Sequence, residues 1–229
     1  MEFLERFDLG MILLQYVVLL FSLCFHEAAH AWMAYRRGDH TAYMLGRVTM
    51  NPKAHVDPIG TVLFPLLQFF AAVPLIGWAK PVPVNMHNLR NPVRDQMFIS
   101  AAGPGSNFLL GSICTLLLLV LKAVSPAANI SLYHLVATMT ISKEHVFWGP
   151  VAGFLFFGMI INFALALFNL IPIPPLDGHW ILAGFLRGPA LEALEAIKPY
   201  GFIVLYALMF FGLLRFVFWP IYLLLNLIF

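Results

Sequence analysis

At 229 residues, 61% hydrophobic and only 10% charged, the chain departs from soluble domains, in which about a quarter of residues are charged. Most of it must lie in a bilayer, which leaves no room for a second sizeable soluble domain, so residues 1–229 read as one membrane domain. A net charge of +2 argues against a nucleic-acid partner, and Cys24 and Cys114, each in an apolar run without CxxC spacing, argue against a disulfide framework.

The N-terminus, Met1 to Asp8, is acidic and lacks the basic region and cleavage site of a signal peptide. The first apolar run is therefore expected to stay in the mature protein. That run predicts a membrane span from Gly10 to Arg36. A polar loop follows, in which Tyr43 to Met50 reads as a short strand or hairpin. The apolar stretch Ile59 to Trp78 is interrupted by Pro65 and Pro74. Alternating prolines in Ala79 to Asn85 predict an extended edge segment. A long helix is expected over Asp95 to Lys122, a polar link over Ser125 to Glu144, and a further span over Val146 to Ile171. A short helical piece, His179 to Leu186, precedes a last apolar stretch, Tyr200 to Phe229, as one helix or a pair bent near Arg215 and Pro220. The fold expected is an α-helical polytopic membrane protein of five to six membrane segments, with a re-entrant segment and a short membrane-associated β-hairpin.

Within the first span lies His26-Glu27-Ala28-Ala29-His30, an HExxH motif. Histidines four apart on a helix point about 40° apart and share a face. Both imidazoles can reach one metal ion, and Glu27 can reach a water on it. Ionisable groups in hydrocarbon are costly, so they mark a functional site. A catalytic zinc takes three protein ligands and leaves a position for water. The candidates for the third are Asp57, Glu144, Asp177, Glu192, Glu195 and other histidines. Asp177 is preferred because it follows a helix end broken by Pro172, Pro174 and Pro175, and irregular backbone at membrane depth belongs in a protein-lined cavity.

Depth constrains the topology. His26 and His30 lie near the C-terminal end of the first span, and Asp177 lies just past the end of the span from Val146. They share a side only if Ile59 to Trp78 enters and returns. Arg36, Arg37, Arg47, Lys53, Lys80, Arg90, Arg94, Arg187 and Lys198 then fall on the metal-site side, and Arg6, Lys122 and Lys143 on the other. By the positive-inside rule the site opens to the cytosol.

Together with HExxH, the stretch Gly46 to Pro58, the stretch Gly77 to Asn85, Gly103-Pro104-Gly105-Ser106-Asn107 and Asn169-x-x-Pro172-x-Pro174-x-Leu176-Asp177-Gly178 give the chain a specific likeness. It resembles the site-2 protease family of intramembrane zinc metalloproteases over most of its length, in a minimal form without PDZ or CBS domains, similar to the compact prokaryotic branch. The resemblance implies one zinc ion per chain on His26, His30 and Asp177, with Glu27 as catalytic acid and base. It implies a zinc-dependent endopeptidase of a prokaryotic cytoplasmic membrane, cutting a peptide bond in or near a transmembrane segment of another protein in regulated intramembrane proteolysis.

An intact helical substrate must unwind, and its freed backbone must be satisfied. Strand addition along Lys80 to Asn85, at Val82 and Val84, is one device. Clamping by the Asn107 and Asn169 amides is the other. His55 is a candidate for the cytosolic mouth or for a regulatory ion. The competing readings are another membrane zincin with Glu192 or Glu195 as third ligand, a metal transporter, or an inactive membrane scaffold. Oligomeric state is not readable from the chain.

Overall fold

In the computed structural model, which describes residues 8–65, 67, 77–142 and 144–229, every regular element is helical. Helix α1 (Leu9–Arg37) opens where the Asp8 carboxylate accepts from Met11 N–H at 3.1 Å. It closes at Gly38, whose φ of 108° is cheap only for glycine. A single turn, α2 (Thr41–Met44), follows. Helix α3 (Pro92–Val124) starts on a proline, whose missing N–H costs nothing in the first turn. Then come α4 (Pro126–Thr138), α5 (Trp148–Asn169), α6 (Asp177–Phe185), α7 (Pro189–Ala196), α8 (Gly201–Phe210) and α9 (Leu214–Ile228).

Among the described residues, four stretches are long and apolar enough to cross a membrane: Leu9–Arg37, Pro92–Val124, Trp148–Asn169 and Pro189–Phe210; Leu214–Ile228 is apolar but shorter. Five to six segments are expected, and the re-entrant one among them, over 59–78, lies largely outside the described residues. The expected β-hairpin is overturned, for no strand occurs among the described residues. Over Tyr43 to Met50 the chain turns back on itself: Gly46 N–H donates to Tyr43 O at 2.9 Å and Arg47 N–H to Ala42 O at 2.9 Å. Two further differences concern helices. The polar link holds α4, launched by the Ser125 side chain accepting from Ala128 N–H and by Pro126 at the first helical position. The terminal stretch breaks at Gly212 (φ 68°), while Pro220 sits inside α9.

Helices α1, α3 and α5 form the central bundle. One half is apolar: Met11 and Val18 of α1, Leu118 of α3 and Phe156, Phe157 and Met159 of α5 pack with Leu132 and Leu135 of α4. The N-terminal halves of α1 and α5 thus meet the C-terminal half of α3, so α3 runs antiparallel to the other two. In lipid, close packing of small residues replaces the hydrophobic drive between helices. Accordingly a Cβ on Gly158 would stand 2.7 Å from Cys114 Sγ, and one on Gly111 would stand 3.1 Å from the Phe163 ring.

The other half of the bundle carries the polar groups, and the long connection between α1 and α3 begins and ends beside it. Arg37 Nη1 lies 3.5 Å from Asp95 Oδ1, which joins the last turn of α1 to the first turn of α3. Within the connection, Trp78 N–H donates to Gly60 O at 3.3 Å and Thr61 Oγ1 donates to Trp78 O at 2.8 Å. The two ends of the apolar stretch 59–78 are therefore clasped together. Its middle, where the re-entrant path was expected, falls largely outside the described residues.

Asp39 ties this connection to α1. Its Oδ1 accepts from Thr41 N–H (3.1 Å), Thr41 Oγ1 (2.6 Å) and Asn88 Nδ2 (2.9 Å), and its Oδ2 accepts from Asn85 N–H at 2.7 Å. Burial alone would raise its pKa, but these hydrogen bonds outweigh it and hold the carboxyl below its ordinary value. A depressed folded-state pKa gives stability that is full above the unfolded value, near pH 4, and is lost as pH falls through the folded value. Thermal melts of wild type should thus lose stability below about pH 4. In Asp39→Asn this contribution should be absent, with a loss of about 1–3 kcal/mol already present at pH 7.

Candidate metal centre

Three side chains from two elements converge in the polar half of the bundle. His26 and His30 project from α1, and Asp177 stands at the first position of α6. His26 Nε2 and His30 Nε2 are 3.0 Å apart, and Asp177 Oδ2 lies 3.2 Å from the first and 3.3 Å from the second. All three side chains are largely buried. A tetrahedral ion with bonds of about 2.05 Å needs ligand atoms about 3.3 Å apart, so this triangle has the size of one tetrahedral face.

The outer nitrogens decide what the inner ones can do. His26 Nδ1 is 2.5 Å from Asn107 Oδ1, and His30 Nδ1 is 2.6 Å from Ile99 O. Both partners only accept, so each neutral ring carries its proton on Nδ1 and turns a bare lone pair inward. Two lone pairs and a carboxylate oxygen at this separation repel one another unless a cation lies between them. The donor set therefore fits a divalent metal, and the outer hydrogen bonds are of the kind that orient histidine ligands.

Backbone geometry makes room for this. Gly103 of α3 faces both imidazoles: a Cβ there would overlap His30 Nε2 and stand 2.6 Å from His26 Cε1. Pro104 cannot donate to the Ser100 carbonyl and its ring crowds that turn of α3, next to the Ile99 carbonyl that receives His30. Asp177 is delivered by the proline-interrupted loop after α5. Gly178 lets α6 start tight against the carbonyls of Leu170 and Ile171, where a Cβ would stand 2.5 Å from Ile171 O.

The group opens onto a cavity of about 480 Å³ that Glu27, Val82, Val84 and Asn169 also line. Glu27 is nearly buried at 9% exposure and adjoins His26 in sequence. Neither Asn107 nor His55 lines it. Asn107 is fully buried, and its amide is engaged with His26 Nδ1, Ser22 O (3.2 Å) and Asn162 Oδ1 (2.8 Å). It stands behind His26 rather than at the cavity, where the expected clamp would touch a substrate. His55 is also buried, with Nε2 at 2.8 Å from Thr49 O and its backbone carbonyl accepting from Lys80 N–H. It staples the loop. Of the other carboxylates weighed as ligands, Asp57 caps the turn at Ile59 and Gly60, and Glu195 pairs with His179 and Lys198.

Sequence reasoning missed Ser22, Asn162 and Arg47. A buried Asn in an apolar span is a signal in itself, and Asn162 is such a residue. Buried Arg47 donates to the carbonyls of Ala54 and Lys80 and, at 3.0 Å, to that of Pro81. It fixes one end of the cavity-lining segment, and Asp39 fixes the other at Asn85. Between them, the N–H groups of Val82 and Val84 have no partner among the described residues.

Comparison with known proteins agrees with this chemistry. The model of peptidase family M50 matches residues 15–212. The chain is similar to YwhC of Bacillus subtilis, named as a candidate zinc metalloprotease: the two are 34% identical over 89% of this chain and 83% of the relative. It is also similar to Rip2 of Mycolicibacterium smegmatis, named likewise, at 32% identity over 87% of this chain and 68% of the relative. Rip2 of Mycobacterium tuberculosis is 30% identical over 82% of this chain and 63% of the relative. No solved structure matches the chain.

Proposed function

The chain belongs to peptidase family M50, the site-2 protease family, and we propose that it is an intramembrane endopeptidase that cuts a transmembrane segment of another membrane protein. It is an integral membrane zinc metalloprotease. The finer reading is carried by one observation: His26, His30 and Asp177 meet at the spacing of a zinc face within a bundle of apolar helices. The predominance of basic residues on that side supports a site open to the cytosol.

Zinc, when bound, acidifies a water and polarises the scissile carbonyl. In our reading His26 and His30 offer Nε2 lone pairs and Asp177 a carboxylate oxygen to hold it. Glu27 accepts a proton from the attacking water and returns it to the leaving nitrogen as the C–N bond breaks. The water's second proton passes from the new carboxyl group to the amine, so the products are a carboxylate and an ammonium group, and Glu27 ends as it began. Substrate backbone, unwound from its helix, pairs with the free N–H groups of Val82 and Val84 as an added strand. Asn169, whose Nδ2 back-bonds to Leu165 O at 2.9 Å, keeps its Oδ1 for a substrate N–H.

Arg47 gives this strand-addition reading a specific consequence. Arg47→Ala should leave zinc content unchanged while raising KM about tenfold or more, because the segment at Val82 and Val84 loses its fixed end; Arg47→Lys should recover part of the loss. Steady-state kinetics beside metal analysis checks both.

The test of the function is reconstitution. Purified protein in liposomes with a tagged single-span substrate should yield two fragments whose new ends, located by mass spectrometry, fall within or beside the span. Cleavage confined to soluble loops far from the span would refute the intramembrane reading. Zinc-dependent binding of the substrate without any cleavage would favour a scaffold.

A further inference from the structure

We propose that Asn162, two hydrogen bonds away from the metal ligand, is a positioning residue that holds the proton of His26 on Nδ1 and keeps Nε2 free for metal. The inference rests on the reading of His26 as a ligand.

It follows from the direction of a buried hydrogen-bond chain that crosses three helices. Ser22 of α1, Asn107 of α3 and Asn162 of α5 are each no more than 2% exposed, so water cannot substitute for any of them. The chain is anchored at three backbone carbonyls, those of Val18, Gly158 and Ser22, which only accept. Ser22 Oγ donates to Val18 O at 2.8 Å. Its lone pair therefore receives Asn162 Nδ2 at 2.9 Å. The second Asn162 Nδ2 hydrogen goes to Gly158 O at 2.8 Å. Asn162 is thereby fixed with its Oδ1 toward Asn107, because the flipped amide would set an oxygen against Gly158 O. Asn162 Oδ1 accepts from Asn107 Nδ2 at 2.8 Å, and the other Nδ2 hydrogen goes to Ser22 O at 3.2 Å. Asn107 can then present only its carbonyl oxygen to His26, at 2.5 Å from Nδ1.

A carbonyl facing Nδ1 demands a proton there. The opposite tautomer, with the proton on Nε2, would point two lone pairs at each other in a dry site and close the metal position. Asn107 alone does not impose this, since a free amide could turn its NH₂ toward the ring. Asn162 removes that freedom. Groups that orient metal ligands are worth about 10- to 100-fold in affinity.

The test is a double-mutant cycle on zinc affinity, measured by chelator competition on the full chain in detergent. Asn107→Ala and Asn162→Ala should each weaken binding about 10- to 100-fold, and the double variant should bind no more weakly than Asn107→Ala. In the zinc-loaded protein with ¹⁵N-labelled histidine, the His26 Nδ1–H resonance should move upfield in Asn162→Ala, which a purely structural role would not cause. If Asn162→Ala unfolds, Asn162→Asp serves in its place, since a carboxylate cannot donate to Ser22 Oγ or Gly158 O. Wild-type affinity in the Asn162 variant, effects that multiply in the double variant, or an unmoved resonance would each overturn the proposal. His26→Ala separates the underlying reading: if it keeps wild-type zinc affinity, His26 is no ligand, whatever Asn162 does.

Discussion

Replacing Glu27 by Gln should abolish peptide cleavage while leaving zinc in place. Glu27 adjoins the His26 and His30 pair on α1 and lines the same cavity, so on the proposed mechanism its carboxylate is the group that takes the proton of the attacking water. Glutamine keeps the size and one acceptor oxygen but cannot take up and return a proton. Removing a general acid–base of this kind costs about 10²- to 10⁴-fold in rate. Glu27 is 9% exposed, and the glutamine side chain fills the same buried space, so the fold should survive. Cleavage of a reconstituted substrate, with metal content measured on the same sample, reads both quantities. Loss of zinc together with activity would assign Glu27 to the metal itself.

A second large effect is expected where no catalytic group is touched. Gly103→Ala adds one methyl group in the middle of α3, directly over both imidazoles; it would overlap His30 Nε2 and stand 2.5 Å from His30 Cε1. The rings cannot yield without leaving Ile99 O and Asn107 Oδ1, the partners that aim them. Overpacking of this kind costs about 1–3 kcal/mol. If that cost falls on the metal-bound geometry, zinc affinity drops about 10- to 100-fold. Alanine is the better helix former by about 1 kcal/mol, so α3 itself should be at least as stable. Helical content by circular dichroism should therefore be unchanged while chelator competition shows weakened binding. Gly105, where a Cβ meets nothing within 4 Å, is the control: Gly105→Ala should keep wild-type affinity.

These expectations show which parts of the site the sequence could carry. The pairing of His26 with His30 follows from helical periodicity, which is local. Asp177 is singled out in the sequence by a physical conflict, a proline-broken backbone next to a long apolar span, and by the need to bring it to the same side as α1; the structure places it beside His26 and His30. Asn107 illustrates the opposite case. The need to satisfy an unwound substrate backbone points to its amide, but the choice between facing substrate and facing His26 depends on how α3 is rotated against α1. That rotation is set by Gly103 against the imidazoles and Gly111 against Phe163, which are contacts between helices far apart in sequence.

The hairpin expected over Tyr43 to Met50 failed for a related reason. The stretch reads as a strand, but a strand needs a partner. Asp39 draws Thr41 into a turn, while Arg47 turns inward to carbonyls at Ala54, Lys80 and Pro81. A buried arginine satisfied by distant backbone leaves no trace in an eight-residue pattern. The overlooked α4 was legible, since Ser125-Pro126 is a strong helix start; the polar character of the link obscured it. Arg47 and Asp39 also tie the connection between α1 and α3 to the cavity, for together they hold the segment of Val82 and Val84 at its wall.

Zinc stoichiometry, measured on purified wild type beside Asp177→Asn, tests the central claim most directly. The account predicts about one zinc per chain in wild type and loss of most of it in Asp177→Asn, because the amide removes the charge that balances the ion and weakens one corner of the triangle. Full zinc content in Asp177→Asn would contradict it: the convergence of His26, His30 and Asp177 would then not be the metal site, and the mechanism built on it would fall.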